Sequence, residues 1–132
     1  MKCPKCNKTL IIVERYKIQL DYCPFCKGIW FDNDELAHLA EALPNLDFQS
    51  PDIGLLKVAD TNEEKRNCPR CDAIMDKVLM NKKPPVLDIC PNNHGYWFDA
   101  NELSEYVKNN TIRHSSGPIT FLHEVLGQTY QG

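Results

Sequence analysis

Apolar positions along the chain fall into the same short pattern twice. Leu10 to Val13 and Tyr16 to Leu20 are β-prone runs, with Glu14-Arg15 between them read as a hairpin tip. A third short strand is expected over Ile29 to Phe31. Asp32 then stands as an N-cap, with Glu35 three residues on completing a capping box. Leu36, Leu39, Ala40 and Leu43 recur at i, i+3, i+4 and i+7, one apolar helix face that Pro44 stops. Further on, Ile74 to Met80 and Val86 to Ile89 form a second hairpin around Asn81-Lys82-Lys83-Pro84-Pro85. Tyr96-Trp97-Phe98 is its third strand, Asp99 and Glu102 its capping box, and Leu103, Tyr106 and Val107 its helix face.

The two copies are in register. Cys68 and Cys71 lie 65 residues after Cys3 and Cys6, whereas Cys90, Gly95, Trp97, Asp99 and Leu103 lie 67 residues after Cys23, Gly28, Trp30, Asp32 and Leu36. The second hairpin is therefore two residues longer, and the extra pair is expected at its tip. The chain divides into a first lobe at 1–43, a linker at 44–67, a second lobe at 68–110 and a tail at 111–132. Leu55, Leu56 and Val58 give the linker some apolar character. In the tail, Ile119, Leu122, Val125 and Leu126 share one face of a short helix between Pro118 and Gly127. That helix is expected to dock on a lobe or on a second protomer, which would make a homodimer.

Composition narrows the class without naming it. Hydrophobic residues are 42% and charged residues 25% of 132, ordinary for a globular chain. No run approaches the ~20 apolar residues of a spanning helix. The first cysteine is at position 3, too early for a signal-peptide core, so the expectation is a cytoplasmic protein without a membrane partner. The formal charge is −3, and seven ionised thiols on two Zn²⁺ would lower it by three more. That balance gives no general attraction to nucleic acid.

The seven cysteines carry the chemistry. An odd number cannot all pair as disulfides, and clustered cysteines in a reducing compartment read as metal ligands. The first lobe has the spacing Cys-x2-Cys-x16-Cys-x2-Cys and the second Cys-x2-Cys-x18-Cys-x3-His. Two residues between ligands let one tight turn aim both side chains at one ion, and a hairpin brings two such turns together as a tetrahedron. Cys3, Cys6, Cys23 and Cys26 form one candidate Zn²⁺ site; Cys68, Cys71, Cys90 and His94 form the other. Asn93 stands where the first lobe has Cys26, and His94 follows one residue later, its longer imidazole replacing the thiolate. Redox dithiols would call for a βαβ setting, which is absent here. Four thiolates would also suit a rubredoxin-like iron centre, and for the first site that alternative stays open. Four protein ligands leave no position for substrate, so both sites read as structural.

The run C-P-x-C, a hairpin, then C-P-x-C-x-G-x-W-x-D-x-x-E-L resembles the transcription factor IIB-type zinc-ribbon family of small bacterial and archaeal proteins. The resemblance covers residues 3–40 and, with His94 in place of a cysteine, 68–107. It implies zinc on the seven cysteines and a small metal-stabilised α+β fold: two tandem zinc ribbons, each a β-hairpin plus a short third strand followed by a short helix.

Two functions are open to such a chain. The first is a non-catalytic protein-interaction or adaptor module, for which Trp30-Phe31 and Trp97-Phe98 are the best clue. Each Trp is read first as core; alternation puts the members of each pair on opposite faces, which leaves exposure of one member to a partner open as the second reading. The alternative is nucleic-acid binding, supported locally by Lys2, Lys5, Lys8 and Lys27 and by Arg70, Lys77, Lys82 and Lys83. No Ser/His/Asp set, phosphate loop or open metal site marks an enzyme, and the Asp-x-x-Glu pairs are explained as capping boxes.

Overall fold

The computed structural model describes residues 1–15, 18–42, 55–57, 64–80 and 83–109. Its elements are β1 (Ile11–Arg15), β2 (Ile18–Tyr22), β3 (Ile29–Asp32), α1 (Asn33–Ala42), β4 (Leu55–Lys57), β5 (Asp76–Met80), β6 (Lys83–Ile89), β7 (Gly95–Phe98) and α2 (Glu102–Asn109). The strands form one seven-stranded sheet in the order β1-β2-β3-β7-β6-β5-β4, and every neighbouring pair is antiparallel.

The centre of this sheet is the pairing of β3 with β7. Ile29 faces Phe98, Trp30 faces Trp97, Phe31 faces Tyr96 and Asp32 faces Gly95. Because each Trp lies opposite its own counterpart, a pseudo-two-fold axis passes between them, and the two halves meet as like surfaces. The period-2 alternation of strands then sorts the aromatic residues. Phe31 and Phe98 point to the side covered by α1 and α2, where one core contains Leu20, Tyr22, Leu39, Leu87, Tyr106 and Val107 from both halves. There the two Phe rings meet edge to face at 5.7 Å. Trp30 and Trp97 point to the opposite side and pack with the cysteines, Leu10 and Met75.

All four aromatic side chains are buried. Both Trp side chains are core, as the first reading of the sequence has it, and the alternative of an exposed member in each pair does not hold. The alternation is as expected, but β3 and β7 are inner strands of a sheet covered on both faces. The glycines of the repeated frame explain the fit. A Cβ at Gly28 would fall on the six-membered ring of Trp97, and one at Gly95 would fall on the Phe31 carbonyl and 2.8 Å from Trp30 Cζ2. Each half supplies the bare backbone on which the other half's indole rests.

Both hairpin tips differ from the sequence reading. Glu14 and Arg15 belong to β1, pairing with Gln19 and Ile18, so they are not the tip; residues 16–17 lie outside the described residues. Ile18, Leu20 and Tyr22 are buried and Gln19 is exposed, an alternation that holds β2 in this register. In the second hairpin Lys83, Pro84 and Pro85 are part of β6. The register slips between Leu79 and Met80, which face Val86 and Lys83. The two extra residues are a bulge at Pro84-Pro85 rather than a longer tip. Proline has no N–H to give the ladder, so this is where the pairing yields.

Part of the expected linker is a strand, since Leu55–Lys57 pairs with Met80, Leu79 and Val78 as β4. The rest of 44–54 and 58–63, the stop at Leu43-Pro44, and the tail helix over Ile119 to Leu126 fall outside the described residues. α1 starts at Asn33, directly after Asp32 as expected, but α2 starts only at Glu102, three residues after Asp99, with Asn101 left-handed (φ 70°) before it. In the second half the Asp99 amide donates to Glu102 Oε1 at 2.7 Å and the Glu102 amide to the Asp99 carbonyl at 2.9 Å, a turn ahead of α2 rather than the capping box expected inside its first turn. In the first half Glu35 instead accepts from the Gln19 amide at 2.9 Å and sits 3.5 Å from His38. On α2, Leu103, Tyr106 and Val107 are buried together. No described helix is long and apolar enough to cross a membrane.

Candidate metal centres

Each candidate ligand is set at the end of a β-hairpin by a tight turn. In three of the four turns the amide four residues after the leading cysteine donates to its carbonyl. These bonds are Asn7 to Cys3 (2.9 Å), Lys27 to Cys23 (2.9 Å) and Asp72 to Cys68 (2.8 Å). Asn7, Lys27 and Asp72 all have φ between 62° and 67°, the left-handed position that closes the turn. Closing it curls the intervening amides toward sulfur. Lys5 and Cys6 amides donate to Cys3 Sγ at 3.3 and 3.4 Å, and Arg70 and Asn92 amides donate to Cys68 and Cys90 Sγ at 3.4 and 3.3 Å.

The fourth turn is shorter by one residue. Asn93, not His94, is left-handed (φ 62°), and its amide donates to the Cys90 carbonyl three residues back at 3.1 Å. The outer closure is unchanged. Cys90 N donates to Gly95 O at 3.0 Å, as Cys23 N does to Gly28 O at 2.9 Å. Tightening the turn while keeping its ends fixed moves the ligand one place along. The longer imidazole then reaches back, with Nδ1 3.4 Å from Cys90 Sγ and 4.0 Å from Cys68 Sγ.

The structure brings together Cys3, Cys6, Cys23 and Cys26, and separately Cys68, Cys71, Cys90 and His94. Within each group the donor atoms all lie within 4.8 Å of one another. Sulfur separations are 3.5 Å for Cys3–Cys26, 3.3 Å for Cys6–Cys23 and 3.6 Å for Cys71–Cys90. All seven cysteines are free. A tetrahedron with Zn–S arms of about 2.3 Å has edges of about 3.8 Å, so the donor sets fit Zn²⁺ closely. Two such groups could hold two zinc ions.

Thiol chemistry is uneven within each group. Burial pushes the Cys3 thiol up, and the Cys68 thiol up to about 12. The Asn92 side-chain amide, 3.4 Å from Cys71 Sγ, and the Ala73 amide hold the exposed Cys71 down to about 6. At Cys23 burial acts upward, but the Cys26 and Phe25 amides and the Cys6 thiol outweigh it, giving about 7. One thiol per centre is thus ready for a cation at neutral pH, and others ionise with a cation's help.

Two links across the pseudo-two-fold axis bear on the centres, and neither was readable in the spacing. Asn33 N, opening α1, donates to the carbonyl of His94 at 3.1 Å. Arg70, from the first knuckle of the second half, grips the Asp32 carboxylate through Nε and through Nη2 at 2.6 Å. Asp32 also accepts from Trp30 Nε1 at 2.9 Å, as Asp99 does from Trp97 Nε1 at 2.8 Å. The Asp of the repeated frame therefore holds the buried indole. Burial works against the Asp32 carboxylate, but Arg70 and Trp30 outweigh it and depress its pKa.

These features define a small α+β protein with an antiparallel sheet and two Cys-rich metal-binding clusters. Residues 2–42 match the model of a family of zinc-binding domains, the TFIIB-type zinc ribbon, described as a transcription factor zinc-finger. No curated protein and no solved structure matches the chain.

Proposed function

We propose that the chain is a non-catalytic zinc protein made of two tandem zinc ribbons, 1–43 and 68–110, that serves as a protein-interaction or adaptor module. The observation that carries this reading is the closure of each cluster: four protein donors converge with tetrahedral spacing, which leaves no coordination position for water or substrate. Zinc then acts on folding. Structural Zn²⁺ contributes roughly 10–16 kcal/mol in small peptides, which is large beside the stability of any small domain. Cys3, Cys6, Cys23 and Cys26 hold one ion; Cys68, Cys71, Cys90 and His94 Nδ1 hold the other.

One observation favours the nucleic-acid alternative. Lys2, Lys5 and Arg70 line a cleft of about 590 Å³ between the two leading knuckles. Arg70 is already engaged by Asp32, however, and Asp72 lines the same cleft. With a formal charge of −3 before metal, protein is the favoured partner. Metal analysis of the purified protein should give two zinc ions per chain. A gel shift at low salt with steep salt dependence would overturn the adaptor reading in favour of nucleic acid. Retention of a protein partner from nuclease-treated lysate, with no such shift, would support it.

A further inference from the structure

The two halves end differently at the sheet's outer edges. In the second half, β4 lies along the outside of β5, opposite Val78, Leu79 and Met80. The corresponding stretch of β1 is Val13, Glu14 and Arg15. Among the described residues nothing pairs with its outer side, the Lys2–Thr9 bridge stopping short of it. Natural edges are usually protected by charge, proline or a covering segment. Here the open edge has Ile11 and Ile12, 42% and 63% exposed, at the positions where the covered half has Asp76 and Lys77. Val13 packs against the main core from the rim, so a residue placed opposite it would extend that core.

We propose that the outer edge of β1 is a β-augmentation site, where an extended segment of a partner protein pairs antiparallel with Ile11–Arg15. The proposal rests on the protein-interaction reading and locates its surface. The segment carries a cation opposite Glu14 and apolar residues opposite Val13, Ile12 and Ile11. The main-chain ladder supplies affinity and the alternating side chains supply selectivity. β4 is this chain's own instance of such a strand, on the pseudo-symmetric edge. A second copy is a poorer occupant. Self-pairing that keeps clear of Thr9, already bridged to Lys2, centres on Val13 and sets Ile12 against the copy's Glu14 and Ile11 against its Arg15.

The test uses the full zinc-loaded chain and a fluorescein-labelled peptide, Gly-Thr-Lys-Val-Ile-Val-Gly, with an analogue N-methylated at alternate residues. The structural control is Ile12→Lys. The second half already has a lysine there, Lys77, 2.7 Å from Asp88, the counterpart of Asp21, so the fold accommodates it. The expected result is a saturable rise in anisotropy, with amide shifts confined to β1 and its neighbours. N-methylation and Ile12→Lys, at unchanged zinc content, should each weaken binding by about tenfold or more. Four results would overturn the proposal: no saturable binding; equal binding by the N-methylated peptide; β1 amides slow to exchange without peptide, showing the edge already paired; or a dimer in sedimentation that Ile12→Lys dissolves. Lysate capture separates this from the broader reading. A partner held equally by wild type and Ile12→Lys sinks the edge alone, whereas no retained protein sinks the adaptor function.

Discussion

Replacing Gly28 with alanine, a change in the first half, should destabilise the second. Neither Gly28 nor Gly95 lies in the left-handed region of φ, so the effect is steric rather than conformational. The added methyl lands on the Trp97 ring. That ring is fully buried, and its Nε1 is tied to Asp99 at 2.8 Å, so it has nowhere to retreat. Overpacking of this kind costs about 1–3 kcal/mol, and straining the indole hydrogen bond adds about 1 kcal/mol. With a urea slope of about 2 kcal/mol/M, the midpoint of the zinc-loaded protein should fall by roughly 1–2 M. Zinc transfer to a chromogenic chelator should quicken at both centres. Trp97→Phe removes the offending part of the ring, so Gly28→Ala should cost much less in that background. Zinc loss confined to the first centre, or strictly additive effects of the two substitutions, would refute the reciprocal packing.

Other expectations follow from separate features. Lys77 and Asp88 form a 2.7 Å ion pair, 9% and 1% exposed, so Asp88→Asn should cost about 3–5 kcal/mol by strand-buried charge, measured by urea unfolding. Zinc release takes up protons, so affinity should fall with falling pH, about tenfold per unit for each proton bound on release. At the second centre Cys68 is protonated up to about pH 12 without metal, whereas Cys71 takes a proton only below about 6. The pH slope there should steepen below about pH 6, measured by calorimetry in buffers of different ionisation heat. His94→Ala should reduce retained zinc from two ions toward one on dialysis against a weak chelator. His94→Cys alone should rescue it poorly, because a thiol cannot span the gap the imidazole fills, whereas Asn93→Cys with His94→Lys should restore the first-half turn and the second ion.

Short-range features were the legible ones. Ligand spacing, the glycine after each second knuckle and the Asp two residues after each Trp are all set within a dozen residues, where turn chemistry and hydrogen bonds act locally. The slip from Asn93 to His94 could be read because the outer closure at Gly95 keeps the count. What stayed hidden depends on partners distant in sequence. Nothing local announces that β3 pairs with β7, so exposure of one member of each aromatic pair stayed open as a reading, although both sheet faces are covered. β4 has three residues and exists by pairing with β5. Pro84-Pro85 carries turn-forming residues, yet β6 absorbs it as a bulge because Lys83 still finds Met80. Asp32 looked like a capping residue, and its carboxylate is spent on Trp30 and on Arg70, 38 residues away.

The pairing of Trp30 with Trp97 also bears on how such a molecule could be assembled. Each half has both parts of the joint: an indole that projects and a glycine that receives one. Joints of that kind belong to homodimers, in which one surface must be its own complement. Placing two copies on one chain adds no alignment, because the alignment is written into each copy. The connection supplies proximity, turning a meeting that would depend on protein concentration into one that does not. A first half expressed alone, loaded with its single ion, would hold everything needed to find another of itself through β3.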